Sequence, residues 1–207
     1  MSATHHYISL GDPGIEQTLR IMRRHALAAS RNPLVIEWAQ GIVRRLPERD
    51  TDAEAGAFLA WVRANFRYTR DPVEVELVKT PERMLREWQR HGVITGDCDD
   101  QTTLIAAGMN IVGNETRFVT VAADGAHRDF SHVLMEYESP VRGWVSMDPI
   151  VRGTGLGWFP PVYNRVGRLG SHLSGGAAVP TVAGPGHAAG VVAVALGLWY
   201  FSRRRSR

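Results

Sequence analysis

The chain has 207 residues, 44% of them hydrophobic, with one cysteine and a formal net charge of +3, which suits one domain of about 150 residues carrying extensions. Its pI of about 9.4 rests on the terminal run Arg203, Arg204, Arg205 and Arg207; taking those four charges from +3 leaves −1 on the remainder, so neither a phosphate-binding face nor a nucleic-acid partner is expected. One cysteine excludes an internal disulfide framework and suits a reducing compartment, and MSATHHYISLGDPG lacks a basic segment followed by an apolar one, so a cytoplasmic protein without a signal peptide is expected.

Residues 14–30 carry Ile15, Leu19, Met22 and Leu27 near helical spacing, and Pro33 opens a second helix through Ile36, Ala39, Ile42, Val43 and Leu46 that Pro47 ends. Together they form an N-terminal helical extension over residues 1–50. From Asp52, the stripe Ala57, Phe58, Trp61, Val62 and Phe66 reads as a helix packed into a core. Residues 68–78 read as a loop or short strand at the rim of a cleft. Thr80 is the N-cap of the next helix, with Pro81 at its first position. Another helix runs through Gln101, Leu104, Ile105, Ala107 and Met109 to Val112, with Asp97 as N-cap and Gly113-Asn114 as C-cap.

Three strands follow, over residues 115–123, 130–138 and 144–150. Period two puts His132, Leu134 and Glu136 on one face of the second strand and Val133, Met135 and Tyr137 on the other, while Trp144, Ser146 and Asp148 lie together on the third. The fold class is therefore α+β, with the helix after Cys98 packed on an antiparallel sheet.

Cys98 lies in Gly96-Asp97-Cys98-Asp99-Asp100, where a turn becomes a helix. In the first helical turn, unpaired N–H groups and the positive end of the dipole favour a negative charge on sulfur. The neighbouring carboxylates oppose it, so an imidazolium, a metal ion or outward-turned side chains must offset them. If the last two strands pair antiparallel beneath the helix start, His132 can take the thiol proton and Asp148 can fix the ring: nucleophile, base and orienter. The plainer readings are an inert buried thiol, a satisfied core histidine and an aspartate capping the turn before Pro149.

GDCDD before an apolar helix, SHV on a strand and GWVSMDP after it resemble the transglutaminase-like, or papain-like, cysteine enzymes, and residues 61–72 and 80–88 resemble the helices leading to their cysteine. The resemblance covers residues 50–150, marking 51–150 as the catalytic core. It implies Cys98 as nucleophile, His132 as general base and acid, and Asp148 as orienting carboxylate, acting on a protein or peptide substrate through a thioester with no required cofactor. The backbone N–H of Cys98 would be one oxyanion donor, with Trp61 and Gln89 as candidates for a second. Asp97, Asp99 and Asp100 either compensate the helix dipole or offer hard oxygens for Ca²⁺, as in the similar bacterial cysteine proteases that cleave surface adhesins. The chain also resembles small phage and prophage structural proteins, which implies as an alternative a non-catalytic virion assembly protein.

Beyond Ile150, Gly153, Gly155 and Gly157 precede Trp158-Phe159-Pro160-Pro161, and residues 151–187 read as a Gly/Pro-rich wrapping segment and linker. Residues 188–201 (AAGVVAVALGLWYF) read as an apolar helix ahead of the arginines, within a C-terminal unit of residues 188–207. Fourteen helical residues reach about 21 Å, short of the hydrocarbon core, so a membrane anchor, a helix docked on a partner or virion assembly, and a helix packed on its own domain all stay open. The domain is expected to fold without the residues after Arg168.

Overall fold

Three of the helices begin where the sequence supplies a side-chain acceptor for their orphan N–H groups. In the computed structural model, which describes residues 12–71, 77–122, 130–161, 165–170 and 179–183, the helical layer comprises α1 (Asp12–Ala29), α2 (Pro33–Val43), α3 (Thr51–Asn65), α4 (Pro81–His91) and α5 (Cys98–Ile111). Asn32 Oδ1 accepts from Leu34 N at 3.0 Å, Asp50 Oδ1 from Ala53 N at 2.9 Å and Thr80 Oγ1 from Arg83 N at 3.2 Å; each cap contributes about 1 kcal/mol. α5 ends in a Schellman motif: Gly113 has φ 95°, its N–H reaches Asn110 O at 3.2 Å, and Asn114 N reaches Met109 O at 2.9 Å.

Two sheets accompany the helices. β1 (Phe66–Tyr68) and β2 (Ile94–Gly96) pair in parallel, and a five-stranded antiparallel sheet has the order β5-β4-β3-β6-β7, with β3 Thr116–Val121, β4 His132–Ser139, β5 Gly143–Met147, β6 Arg165–Gly170 and β7 Val179–Ala183. The core joins Met22, Ala26, Val35, Ala39, Phe58 and Val62 to the buried side of α5 and to Phe118, Met135, Tyr137 and Met147 of the sheet. Alternation sends Val119, Val121 and Leu134 into a second cluster, against Phe159. At Gly108 an added Cβ would stand 2.9 Å from both Phe58 Cδ1 and Trp38 Cζ3, so the missing side chain sets the close approach of α5 to α2 and α3.

Within residues 151–187 lie β6 and β7, and β6 hydrogen-bonds along β3. These strands carry little apolar alternation; their place comes from backbone pairing with an open edge, which side-chain periodicity does not reveal. The apolar segment 188–201 and the terminal arginines lie outside the described residues. Among the described residues no helix is long and apolar enough to cross a membrane.

Candidate active site

Cys98 is the first residue of α5 and is half-buried. Asp97 occupies the N-cap position with extended backbone, yet its side chain makes no capping hydrogen bond. The first turn of α5 is seated on the sheet by Thr102 Oγ1, which donates to Val133 O at 3.5 Å, a long bond beside the first residue of β4. That residue is His132. Antiparallel register pairs Met135 with Met147, which carries Asp148 just past β5 on the parity shared by Leu134 and His132.

His132 Nε2 lies 2.7 Å from Asp148 Oδ2. Burial opposes a charged ring, but the charge and hydrogen bond of Asp148 and the hydrogen bond and charge of Cys98 outweigh it, pushing His132 up to about 10. Since Nε2 faces Asp148, Nδ1 is the ring nitrogen left for sulfur. Burial raises Asp148, but His132 and the N–H groups of Ile150 and Val151 more than compensate and hold it below the ordinary carboxylate range. Those N–H groups donate to Asp148 Oδ1 at 2.8 and 3.3 Å, an Asx turn made by the residue before Pro149. Cysteine, histidine and aspartate thus come from a helix start, a strand start and a strand end.

The two expected oxyanion side chains sit differently. Trp61 stands between Trp38 and Trp88, with ring centroids 5.2 and 5.3 Å away at steep angles, and Gln89 is exposed on α4. The structure instead brings up Tyr68, which sequence reading left in a rim. Its register partner is Gly96, two residues before Cys98. Burial, then the charges of Cys98 and Asp97, push its hydroxyl up to about 12, against the charge and hydrogen bond of Arg70. The hydroxyl therefore keeps its proton and can donate it. The signal was the short β-prone run Phe66-Arg67-Tyr68; its parallel pairing with Ile94–Gly96 is non-local and leaves no mark in sequence.

The three acids divide. Their ligand atoms lie within 4.8 Å of one another, but Asp100 is engaged elsewhere: Lys79 N donates to its Oδ1 at 2.7 Å, and Lys79 Nζ lies 4.0 Å from its Oδ2. An added Cβ at Gly96 would fall on the Asp100 carboxylate, so glycine gives this side chain its seat. Burial, against the Lys79 bond and charge, still pushes Asp100 up to about 8 with help from Asp97 and Asp71. Asp97 Oδ1 and both oxygens of Asp99 are buried without a donor among the described residues. Burial first, then the adjoining Asp97 carboxyl and the charges of Asp100 and Cys98, holds Asp99 well above the usual carboxylate range. Orphaned hard oxygens fit a proton shared with Asp97 or a cation such as Ca²⁺ held by Asp97 and Asp99.

A chain from Parabacteroides distasonis ATCC 8503, described as a proposed protease, superposes with a TM-score of 0.52 at 11% identity, over 86% of this chain and 35% of that one. A proposed cysteine protease from Cytophaga hutchinsonii aligns with a TM-score of 0.43 and 17% identity over 59% of this chain and 39% of its own, and red sea bream transglutaminase with 0.39 and 16% over 64% and 27%. The chain thus spans well under half the length of each. No curated protein matches it. The sequence profile described as the transglutaminase-like superfamily matches residues 36–149, more than half of the chain and all three of Cys98, His132 and Asp148, and the chain belongs to that superfamily.

Proposed function

We propose that the protein is a cysteine-dependent acyl-transfer enzyme that cleaves an amide bond in a protein or peptide substrate. The observation that carries this reading is the 2.7 Å contact between His132 Nε2 and Asp148 Oδ2, on a ring whose charged form Cys98 also stabilises. With the proton resting on His132, the sulfur of Cys98 attacks the carbonyl carbon as thiolate, and the carbonyl π pair moves onto oxygen. The Cys98 N–H, unpaired at the helix start, and the Tyr68 hydroxyl are the proposed donors to that oxyanion. As the C–N bond breaks, its electron pair takes the His132 proton, so the amine leaves and a thioester remains. Water then gives a proton to His132 while its oxygen attacks the thioester. Loss of the thiolate releases the acid, and Asp148 holds the imidazolium in orientation throughout. Hydrolysis is preferred to crosslinking because water needs no second binding site; an amine in its place would give transamidation.

We also propose that Asp97 and Asp99 bind Ca²⁺. Such an ion would add positive charge beside the nucleophile and relieve the repulsion between the two carboxylates.

The test is labelling of Cys98 by a peptidyl vinyl sulfone, read by intact mass, followed by digestion of a mixed peptide library. One adduct per chain, slowed about 10²–10⁴-fold in His132→Ala, and new peptide termini are expected. Equal labelling in wild type and His132→Ala, with no new termini, would overturn the reading.

A further inference from the structure

Asp148 is held twice, once through its carboxylate and once through its backbone. The second hold comes from α3. Arg63, half-buried in the last turn of that helix, donates from Nη2 to Asp148 O at 2.7 Å, to Val151 O at 2.8 Å and to Thr154 Oγ1 at 2.9 Å, and from Nη1 to Thr154 O at 2.6 Å. Thr154 Oγ1 in turn donates to Val151 O at 2.7 Å. One planar guanidinium therefore gathers three carbonyls and a hydroxyl of a segment that has no helix or strand of its own. Among the described hydrogen bonds, no other side chain ties the carbonyls of residues 148–154 to the helical layer.

We propose that Arg63 is a positioning residue for the acyl-transfer site, fixing the backbone at Asp148 so that its carboxylate meets His132. The proposal rests on that reading of the site. A fork of donors suits this task because it sets direction as well as distance, whereas lysine would bring one strongly hydrated point charge to acceptors spread over seven residues. Burial above all, with the charge of Arg152, disfavours the guanidinium and the Asp148 carboxylate only partly offsets this, so the directed hydrogen bonds carry the hold. The groups that act on His132 are Asp148, from the end of β5, and Cys98, from the start of α5. If Arg63 is lost, the 148–154 turn can relax and the longer Asp148–His132 contact weakens the support for the charged ring.

The experiment titrates the His132 ring by NMR in the full chain as wild type, Arg63→Lys, Arg63→Gln and, as benchmark, Asp148→Asn, alongside thermal melting and the pH profile of vinyl sulfone labelling. Both Arg63 variants should move the His132 midpoint down from about 10 by at least about one pH unit, in the direction of Asp148→Asn. The alkaline limb of labelling should move with it, its maximal rate falling about 10–100-fold. Methylguanidine added to Arg63→Gln should partly restore both. A purely structural brace would lower melting and leave the His132 midpoint where it was; that outcome overturns the proposal. If Arg63→Gln does not fold, Arg63→Lys alone decides. Should wild-type Cys98 prove inert, the acyl-transfer reading fails, while the His132 midpoint still reports whether Arg63 sets the contact.

Discussion

His132 and Asp148 meet at 2.7 Å with side chains only 3% and 0% exposed, so their contact is cut off from solvent while Cys98 is only half-buried. A buried ion pair of this kind depends on mutual alignment, since either partner alone is an uncompensated charge.

The first prediction concerns pH. His132 is raised from 6.5 to about 10, so its contribution to stability is fully present below about 6.5 and lost as pH rises through about 10. Asp148 is lowered from 3.8, so its contribution is present above 3.8 and lost as pH falls through its folded value. Thermal melting against pH should therefore show a decline on the alkaline side that Asp148→Asn removes, and peptide cleavage by that variant should fall on the order of 10⁴-fold. An alkaline decline of the same size in Asp148→Asn would refute the assignment.

Tyr68→Phe removes one hydroxyl and no packing. Cleavage should lose about 10²-fold in kcat, with KM and melting nearly unchanged and Cys98 alkylation by small reagents intact. A change in KM alone would place Tyr68 on the substrate wall and not at the oxyanion.

Calcium is tested through Asp99, whose carboxyl is raised well above 3.8 chiefly by burial. Without metal, this group makes stability fall as pH rises above 3.8, because the folded chain holds the proton more tightly. Adding Ca²⁺ should raise the melting temperature, by more at pH 8 than at pH 5, since the ion must displace that proton. Asp99→Asn, which keeps the uncharged shape, should lose that fall in stability with pH and ignore Ca²⁺. Identical melting in calcium and in chelator would remove the ion from the site.

The pairing of β6 with β3 over Arg117–Val121 changes the expected result of shortening the chain. A stop after Arg168 cuts through β6 and leaves β3 with part of its edge unpaired, so melting should drop and aggregation rise. A stop after Ala183 keeps β6 and β7, and both folding and Cys98 labelling should survive. Circular dichroism and light scattering on the two truncations separate these outcomes.

What could be read in advance follows the range of the interaction. The start at Pro33, the cap at Thr80, the Gly113 terminus and the strand carrying His132 are written in a few adjacent residues. So was the alternation that put Asp148 on the parity of His132, because antiparallel strands joined by a tight turn allow few registers. The Tyr68–Gly96 pairing, the Arg63 fork across to Thr154 and the docking of β6 on β3 join segments far apart in the chain. None has a local pattern. The split among the acids was also hidden: Asp97, Asp99 and Asp100 look equivalent in sequence, and only the position of Lys79 separates Asp100 from the other two.

The thiol belongs to the helical layer and its two partners to the sheet, so the reacting groups face one another across a seam that Thr102 and Val133 help to close. The proposed chemistry would then depend on the seam, and would be lost whenever the layers part even if every helix and strand persists. The rate at which the protein becomes inactive on warming should follow the local opening of that joint, read by amide exchange in the first turn of α5, and run ahead of any loss of secondary structure.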